Sequence, residues 1–345
     1  MSKKRLTVSI LIPCYNEEKS IEATIKSCLS QSVSVDQVVI VDDGSKDNTR
    51  KILNKYKRKL TLVFLPKNTG NKSYVQEEGL KHVTSEVFIS TDADTILDKD
   101  FVKNILKGFV DANTVAVAGY VKSMKGNLFT GAREMEYILG QDLHKNAQSV
   151  INSILVIPGA AGAFRTNFFK KHISFDHDTL TEDLDFTYKI HKKKKKITFA
   201  KDAVVYTQDP DNLKVYVNQL RRWYAGGWQN LIKHHDILTY KKGHALELSL
   251  AYAEGFTFSL LLLVAPLFDI RFLLFHLVFL VPFAVFLSVY SAIKRRRLDL
   301  LLSIPVYVFL SYVNAYIFVE QAVKEAILKR KNMVWYHPER RMVGI

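Results

Sequence analysis

Val87-Phe88-Ile89-Ser90-Thr91-Asp92-Ala93-Asp94 is an apolar run that ends in two carboxylates. The apolar part predicts a short buried strand, so both carboxylates stand where that strand ends. Two neighbouring aspartates repel each other unless a positive group lies beside them. A hard divalent cation, Mg²⁺ or Mn²⁺, takes oxygen ligands and commonly bridges carboxylates to phosphates. The motif therefore indicates a metal site, and an ordinary acidic turn is the alternative.

Outward from this stretch, predicted strands alternate with predicted helices. Strand composition occupies residues 6–12, 37–41, 60–65 and 86–90, and helical periodicity occupies 17–30, 45–56 and 70–82. This alternation predicts an α/β fold with a mostly parallel sheet that is covered on both faces.

Polar clusters follow the predicted strands directly. They are residues 13–16, 42–44, 67–68 and 92–94. Because ligands collect beyond the carboxyl ends of parallel strands, we expect these segments to converge on one edge of the sheet. No Gly-x-Gly-x-x-Gly follows the first strand, and the chain has no Gly-Lys-Ser or Gly-Lys-Thr loop. A dinucleotide-binding fold and a phosphate-loop ATPase are therefore not supported.

Composition divides the chain near residue 242. Residues 1–242 resemble a soluble domain, whereas residues 243–323 hold three apolar stretches, 245–268, 272–293 and 298–319. Each is close to the ~20 residues that span a bilayer as a helix. The first contains Glu247 and Glu254 and could instead lie in the membrane interface. We therefore predict a membrane region of two to three helices, followed by a basic tail at 324–345.

The net charge of +15 suits an anionic membrane surface or a nucleic acid. With apolar stretches present and no nucleic-acid module, membrane lipids are the predicted partner and nucleic acid is not. The lysine run 192–196 predicts a solvated turn, with contact to lipid head groups as the alternative. The two cysteines, Cys14 and Cys28, are too few for a disulfide framework and are predicted to be reduced thiols without a catalytic role.

Three later motifs carry candidate chemistry. The small-residue run 158–165 predicts either a close backbone approach to a ligand or a tight turn. Thr181-Glu182-Asp183 predicts an acidic helix start with Thr181 as a cap. Gln219-Leu220-Arg221-Arg222-Trp223 lies on a predicted helix over 212–233. Its arginines and tryptophan suit phosphate pairing and sugar stacking, and an interfacial aromatic belt is the alternative.

The ordered set of motifs resembles the family 2 membrane glycosyltransferases. In chain order the motifs are Pro-x-Tyr-Asn-Glu, Asp-Asp-Gly-Ser, Asp-x-Asp, Gly-x-Phe-Arg, Thr-Glu-Asp and Gln-x-x-Arg-Trp, followed by the apolar stretches. This family includes the cellulose, chitin, hyaluronan and poly-N-acetylglucosamine synthases, and the chain is most similar to the last group. The resemblance implies a GT-A fold with a Rossmann-like mixed sheet. It also implies an inverting transfer from a nucleotide sugar, most often a uridine diphosphate (UDP) sugar, with Mg²⁺ or Mn²⁺.

The resemblance further implies roles for single residues. Asp183 would be the catalytic general base with Glu182 beside it, and Asp94 would ligate the metal. The nucleotide sugar would contact Pro13, Tyr15, Glu17, Asp43, Lys72, Asp92 and Arg222. The acceptor would contact Arg165, Thr181, Gln219 and Trp223. One departure is Tyr74-Val75-Gln76-Glu77, which replaces the usual small-residue run and could alter donor preference.

The charges that flank the apolar stretches conflict with three simple crossings. The cluster 294–297 is predicted to be cytoplasmic by the positive-inside rule, as is the first domain, which has no apolar signal core before it. The tail 324–341 is equally basic, yet a third crossing would place it outside. Trp335 with Arg340 also resembles a cytosolic motif of related synthases. We therefore expect a multi-pass plasma-membrane protein in which the first or third stretch is interfacial or re-entrant.

Three functional hypotheses remain at this stage. The leading one is a processive synthase that extends a β-linked polysaccharide, with a nucleotide-sugar donor and a growing glycan as partners. The second is a non-processive enzyme that places one sugar on a lipid, such as polyprenyl phosphate or diacylglycerol. The third is a non-catalytic membrane scaffold. Because the membrane region is small, a homo-oligomer or an accessory protein is a further candidate partner for enclosing a sugar channel.

Overall fold

The computed structural model describes residues 5–237, 242–331 and 333. These residues form two compact units. The first comprises 5–122 and 152–208, and the second comprises 123–151 and the described residues from 209 onward. The second unit thus takes in two segments that precede position 242 in the sequence. Most of the predicted basic tail, including Trp335 and Arg340, lies outside the described residues.

A sheet of eight described strands forms the centre of the first unit. The strands are β1 (Val8–Cys14), β2 (Gln37–Asp42), β3 (Thr61–Phe64), β4 (Val87–Ser90), β5 (Thr95–Leu97), β6 (Thr114–Ser123), β7 (Gly162–Arg165) and β8 (Lys196–Thr207). Their order across the sheet is β3-β2-β1-β4-β7-β6-β8-β5. The four strands predicted before residue 90 are confirmed. Strands β5, β7 and β8 had not been predicted.

The sheet is mixed. Strand β1 pairs in parallel with β2 and β4, and β2 pairs in parallel with β3. Strand β7 runs antiparallel to both β4 and β6, and β5 runs antiparallel to β8. A mostly parallel sheet is therefore correct only for the first four strands, since the small-residue run 158–165 contains an inserted antiparallel strand. The mixed sheet that the family resemblance implied is the one observed.

Helices connect the strands and continue into the second unit. They are α1 (Ile21–Leu29), α2 (Thr49–Lys55), α3 (Lys72–His82), α4 (Phe101–Leu106), α5 (Leu128–Ile138), α6 (Asn146–Val150), α7 (Thr166–His172), α8 (Glu182–Lys192), α9 (Leu213–Lys233), α10 (Lys242–Ser259), α11 (Ala265–Phe268), α12 (Arg271–Arg295) and α13 (Ile304–Ala322). Helix α1 begins at Ile21, later than predicted, because Glu17 O accepts from Ser20 N at 3.1 Å in a preceding turn. The lysine run after α8 forms the predicted turn, in which Lys194 has a φ of 54°.

Apolar faces of the sheet and helices form the core of the first unit. Leu11, Phe88 and Phe164 are fully or almost fully buried there, and the rings of Phe88 and Phe164 stack with centroids 5.1 Å apart. Helix α3 packs tightly on β1 at Gly79, where an added Cβ would come within 2.3 Å of Leu11 Cδ1. This packing fixes the first turn of α3 at the end of β1 and β2 where the polar segments lie.

The second unit contains three stretches that are long and apolar enough to cross a membrane. They are Ala245–Phe268, Arg271–Arg295 and Leu298–Ile327. Their positions match the three apolar stretches predicted from the sequence. Helix α13 packs along α9, with Tyr224 OH donating to Asn314 Oδ1 at 2.9 Å and the rings of Tyr224 and Phe318 meeting edge to face.

Candidate active site

Segments that follow β1, β2 and β4 meet at one edge of the sheet, called here the C-terminal edge. Asp43 N donates to Cys14 O at 2.8 Å, and Thr91 N donates to Leu11 O at 3.1 Å. Gly44 has a φ of +71°, and a Cβ there would lie 2.5 Å from Asn68 N. Only glycine permits both this turn and the close approach of residues 67–69. The predicted convergence of the four polar segments is confirmed.

Asp43 is held at this edge by the loop after β3. Thr69 N donates to its Oδ1 at 2.9 Å, and the Thr69 hydroxyl donates to its Oδ2 at 3.0 Å. Burial raises the pKa of the Asp43 carboxyl above its ordinary value, and the hydrogen bonds from Thr69 oppose that rise. The loop thereby fixes the orientation of a buried acceptor beside the polar segments.

Lys72, at the start of α3, joins two of the predicted site carboxylates. Its Nζ lies 2.7 Å from Asp92 Oδ1 and 2.9 Å from Glu182 Oε1. Burial by itself would lower the pKa of the ammonium, but the two carboxylates outweigh that effect and raise the pKa above its ordinary value. Lys72 therefore stays protonated and holds the Asp-x-Asp segment against the start of α8.

Gly159 brings Asp183 to the same cluster. Gly159 N donates to Asp183 Oδ2 at 3.3 Å, and Asp183 Oδ1 accepts from Leu184 N at 2.9 Å. A Cβ on Gly159 would lie 3.2 Å from Lys72 Nζ and 3.5 Å from Glu182 Oε1. The small-residue run thus lets the backbone approach the acidic helix start, and it also contains a tight turn in which Ala161 N donates to Pro158 O at 3.0 Å. Thr181 occupies the predicted cap position of α8, but its side chain makes no capping hydrogen bond.

Asp94, the predicted metal ligand, is a buried carboxylate just before β5. It is 5 % exposed, and Thr95 Oγ1 donates to its Oδ1 at 3.2 Å. In the described part of the chain, no three His, Cys, Asp or Glu side chains form a metal-holding group. Mg²⁺ is commonly bound by only one or two protein carboxylates plus substrate phosphates. The carboxylate oxygens of Asp94 are ligands of the kind that such an ion takes, and Asp92 pairs with Lys72.

The other predicted nucleotide-binding residues lie at or just beyond the end of β1. Pro13 is paired with Val41 in the last part of the strand. Tyr15 follows it and is partly exposed. Glu17 is buried, its carboxylate accepts from the Ser20 hydroxyl, and its backbone N donates to Thr49 Oγ1 at 2.8 Å. Glu17 therefore closes the turn before α1.

Arg165 is not brought to the C-terminal edge. Because β7 runs antiparallel to β4, Gly162 lies beside Ser90 while Arg165 lies beside Val87, at the opposite end of the strand. Its Nε donates to Thr114 O at 2.9 Å and its Nη2 donates to Asp111 O at 3.1 Å. These contacts tie Arg165 to Asp111 and to Thr114, the first residue of β6, whereas a role in acceptor binding predicts a place at the C-terminal edge.

The remaining candidates lie on α9 in the second unit. Gln219 and Trp223 are one helical turn apart and share a face, and both are partly exposed, as is Arg222. The neighbouring Arg221 forms a two-point ion pair with Glu320, with N–O distances of 2.8 and 3.0 Å. Arg221 therefore fastens α9 to α13.

Two functional candidates, Thr69 and Arg133, were not predicted from the sequence. Thr69 follows a predicted strand, and the polar run Asn68-Thr69-Gly70 was the available signal. Arg133, a buried arginine of α5 that lies against the ring of Trp223, had no such signal. Nothing in the helical pattern around Arg133 separates it from a solvent-exposed arginine.

Sequence comparison relates the chain to known glycosyltransferases. Residues 9–173 match the family model described as Glycosyl transferase family 2. A poly-beta-1,6-N-acetyl-D-glucosamine synthase of Staphylococcus epidermidis is 28% identical over 236 residues, which are 66% of this chain and 56% of the relative. A synthase with the same description from Staphylococcus aureus is 27% identical over 230 residues. The match thus spans little more than half the length of these relatives.

Solved structures share the fold. A mannosyltransferase from Pyrobaculum calidifontis, in complex with GDP-Man and Mn²⁺, matches with a TM-score of 0.65 and 20% identity over 95% of this chain and 89% of its own. TarS 1-349 of S. aureus in complex with UDP matches with a TM-score of 0.51 and 19% identity, over 93% and 92%. The chain has the GT-A fold of these enzymes.

Proposed function

Because the chain carries a glycosyl transferase family 2 domain over residues 9–173, we propose that it is an inverting membrane glycosyltransferase that extends a β-linked polysaccharide from a UDP-sugar. The observation that carries this proposal is the cluster at the C-terminal edge. There, Lys72 pairs with Asp92 and Glu182, and Gly159 holds Asp183 next to them. Donor and acceptor chemistry would therefore share one site.

Asp183 is the proposed general base. Inversion takes one displacement, so the acceptor hydroxyl must lose its proton while it attacks the anomeric carbon from the face opposite the diphosphate. Gly159 N donates to Asp183 Oδ2 at 3.3 Å, which places this oxygen in the cluster at the C-terminal edge. We propose that this oxygen takes the proton. Glu182, the acidic neighbour of Asp183, pairs with Lys72 and would shape the acceptor end of the site.

The leaving diphosphate gains charge as the bond to the sugar breaks. Asp94 would hold a divalent metal, Mg²⁺ or Mn²⁺, which supplies positive charge to that diphosphate when bound. The ammonium of Lys72 is a second fixed positive charge at the same edge. Asp43, whose orientation Thr69 fixes, is the proposed acceptor for the nucleotide base.

The residues of α9 are proposed to serve the diphosphate and the acceptor. Arg222 has the planar guanidinium that pairs well with phosphate oxygens. The indole of Trp223 offers a flat surface for a pyranose ring, and such a surface tolerates the sliding that repeated addition requires. Gln219 lies one turn away on the same face and would bond to the sugar hydroxyls.

N-acetylglucosamine is the proposed sugar. The relatives from both staphylococci are described as poly-beta-1,6-N-acetyl-D-glucosamine synthases. TarS is also described in complex with UDP-GlcNAc, in a structure that matches with a TM-score of 0.51. UDP-N-acetylglucosamine is therefore the first donor to test.

Transfer of one sugar to a lipid is the second candidate function. The observation that favours it is the membrane region, in which three described stretches are long and apolar enough to cross a membrane. A short membrane region suits a lipid acceptor that approaches from the bilayer. In this case the product would be a lipid with a single sugar.

The membrane region is proposed to cross the bilayer twice. Glu320 pairs with Arg221, Asn314 with Tyr224, and Gln229 Nε2 donates to Glu325 Oε1 at 3.2 Å. The polar side chains of the third apolar stretch, Asn314, Glu320 and Glu325, therefore face α9 and not lipid. We propose that Ala245–Phe268 and Arg271–Arg295 form a crossing hairpin, and that Leu298–Ile327 lies in the interface on the cytosolic side.

Purified full-length protein with radiolabelled UDP-sugars and Mg²⁺ or Mn²⁺ tests these functions. A long, metal-dependent polymer from one donor is the expected product. A short, lipid-soluble product would support the second candidate. Absence of nucleotide release from every UDP- and GDP-sugar, with donor binding also absent by calorimetry, would overturn both.

A further inference from the structure

Arg133 is a buried cation in the middle of the second unit. It is 3 % exposed and lies on α5. Its Nη1 pairs with Glu136 on the same helix, and its Nε lies 3.8 Å from Asp209 Oδ1. Burial by itself would lower the pKa of the guanidinium, but Glu136 and other neighbours outweigh that effect and raise the pKa further above its ordinary value. Arg133 is therefore a permanent charge away from water.

Aromatic rings surround this guanidinium. Its Cζ lies 4.9 Å from the ring centroid of Trp223, 4.9 Å from that of Tyr137 and 5.5 Å from that of Tyr216. A cation at these distances attracts the faces of the rings, and tryptophan binds it most strongly. Arg133 thus contacts Trp223, the side chain on which the acceptor sugar is proposed to stack.

The surroundings of Arg133 are themselves fixed. Tyr137 OH donates to Asp209 Oδ1 at 2.9 Å, and Tyr216 OH donates to Glu136 Oε1 at 2.9 Å. Asn314 of α13 also donates to Glu136 Oε1, at 3.2 Å. Three helices therefore hold the guanidinium in one place, and the guanidinium has little freedom to follow the ring of Trp223 if that ring moves.

We propose that Arg133 is a positioning residue that fixes the ring plane of Trp223 for stacking on the acceptor sugar. The inference rests on the proposed function and deepens it. A tryptophan side chain that rotates freely about its χ angles loses that conformational freedom when a sugar stacks on its ring. A ring that another side chain already holds in one orientation does not incur this entropic cost on binding. The partly exposed ring of Trp223 then presents a preformed surface to the acceptor.

Two variants distinguish the effect of the planar guanidinium on the Trp223 ring from the effect of the positive charge. Arg133→Lys keeps the positive charge but removes the planar guanidinium, which can contact a ring face and a carboxylate at the same time. Arg133→Met removes the charge, and Glu136→Gln is added to it so that the closer carboxylate partner does not lose its cation. Arg295→Lys is the matched control, because the Arg295 side chain is only 8% exposed and also pairs with α5, at Glu134, and it is not a residue of the proposed site.

The measurement uses full-length protein in detergent whose other tryptophans, Trp228 and Trp335, are replaced by phenylalanine. Fluorescence of Trp223 is followed during titration with a β-1,6-linked N-acetylglucosamine tetramer, and KM for the tetramer and for UDP-N-acetylglucosamine is measured separately. We expect both Arg133 variants to weaken tetramer binding and raise its KM by about 10-fold, while KM for the donor stays within about twofold. The control should change neither.

Each outcome decides between a positioning and a merely structural role. The proposal would be overturned if KM rose equally for UDP-N-acetylglucosamine and for the tetramer. It would also be overturned if both Arg133 variants bound the tetramer as tightly as the parent. The proposal would also be overturned if the parent protein transferred sugar to the tetramer while the fluorescence of Trp223 did not change on tetramer binding. A parent that neither binds UDP-N-acetylglucosamine nor transfers from it would instead contradict the proposed function.

Discussion

Lys72 Nζ lies 2.9 Å from Glu182 Oε1, and this ion pair joins the start of α3 to the start of α8. The two residues are far apart in sequence, yet both helix starts face the C-terminal edge of the sheet. With Asp92 as its second partner, Lys72 neutralises part of a carboxylate cluster that would otherwise repel itself.

Replacing Lys72 with methionine should abolish most activity and lower stability. The substitution leaves Asp92 and Glu182 without their shared cation, and loss of one partner of a buried pair costs about 3 kcal/mol. We expect a lower unfolding temperature and a fall in kcat/KM of at least ~100-fold. Lys81→Met is the control, because Lys81 lies on the same helix and pairs with Glu78 at the surface. Equal behaviour of the two variants would refute the assigned role.

Asp183→Asn should remove the proposed base without removing the fold. Asparagine keeps an oxygen that can accept from Gly159 N but cannot take a proton from the acceptor. Transfer should fall by about 10²–10⁴-fold, and affinity for the donor should stay close to the parent's. The checks are initial rates and calorimetric titration with UDP. A variant as active as the parent would exclude Asp183 as the base.

Gly159→Ala tests the close approach at the cluster. The new Cβ would lie 3.2 Å from Lys72 Nζ and would displace the ammonium by a few tenths of an ångström. We expect kcat to fall by about 10-fold with little change in unfolding temperature. Gly140→Ala is the matched control, because a Cβ there meets nothing within 4 Å. The interpretation fails if both variants keep full activity.

The buried Asp43 carboxyl predicts a specific pH dependence of stability. Its pKa is raised in the fold, so its burial destabilises the protein when the pH lies above that pKa and ceases to do so as the pH falls through it. Asp43→Asn should therefore be more stable than the parent near pH 7, and the difference should shrink toward about pH 4. Unfolding temperatures of both proteins across this range provide the check, and a constant difference would contradict the prediction.

Cysteine labelling tests the proposed two crossings. In a Cys14→Ser/Cys28→Ser background, single cysteines replace Arg296, Lys331 and Ile270 in separate proteins. An impermeant maleimide on sealed, inside-out vesicles should label positions 296 and 331 and should spare position 270, which lies between the two spans of the hairpin. If the cysteine at position 331 is spared in inside-out vesicles, as the one at position 270 is, and is labelled only from the opposite side, the third stretch also crosses the membrane.

The sequence alone determined the elements that depend on local patterns. Short β-rich apolar runs bounded by polar residues specified β1 to β4, and because parallel strands end together, the meeting of Asp43 with the loop after β3 could be predicted. The three apolar helices followed from their length and composition alone. The Asp-x-Asp pattern and the acidic helix start indicated Asp92, Glu182 and Asp183, the family resemblance added Lys72 and the roles, and the structure brings the four residues into one cluster.

Only the tertiary structure decided where non-local partners lie. The direction of β7 depends on pairing with β4 and β6, and it places Gly162 at the C-terminal edge and Arg165 at the other end. Arg133 sits on an ordinary helix, and its burial between carboxylates and aromatic rings comes from residues 209–223, far along the chain. Periodicity reports which face of a helix is apolar, but contacts across long sequence separations arise only when the chain packs.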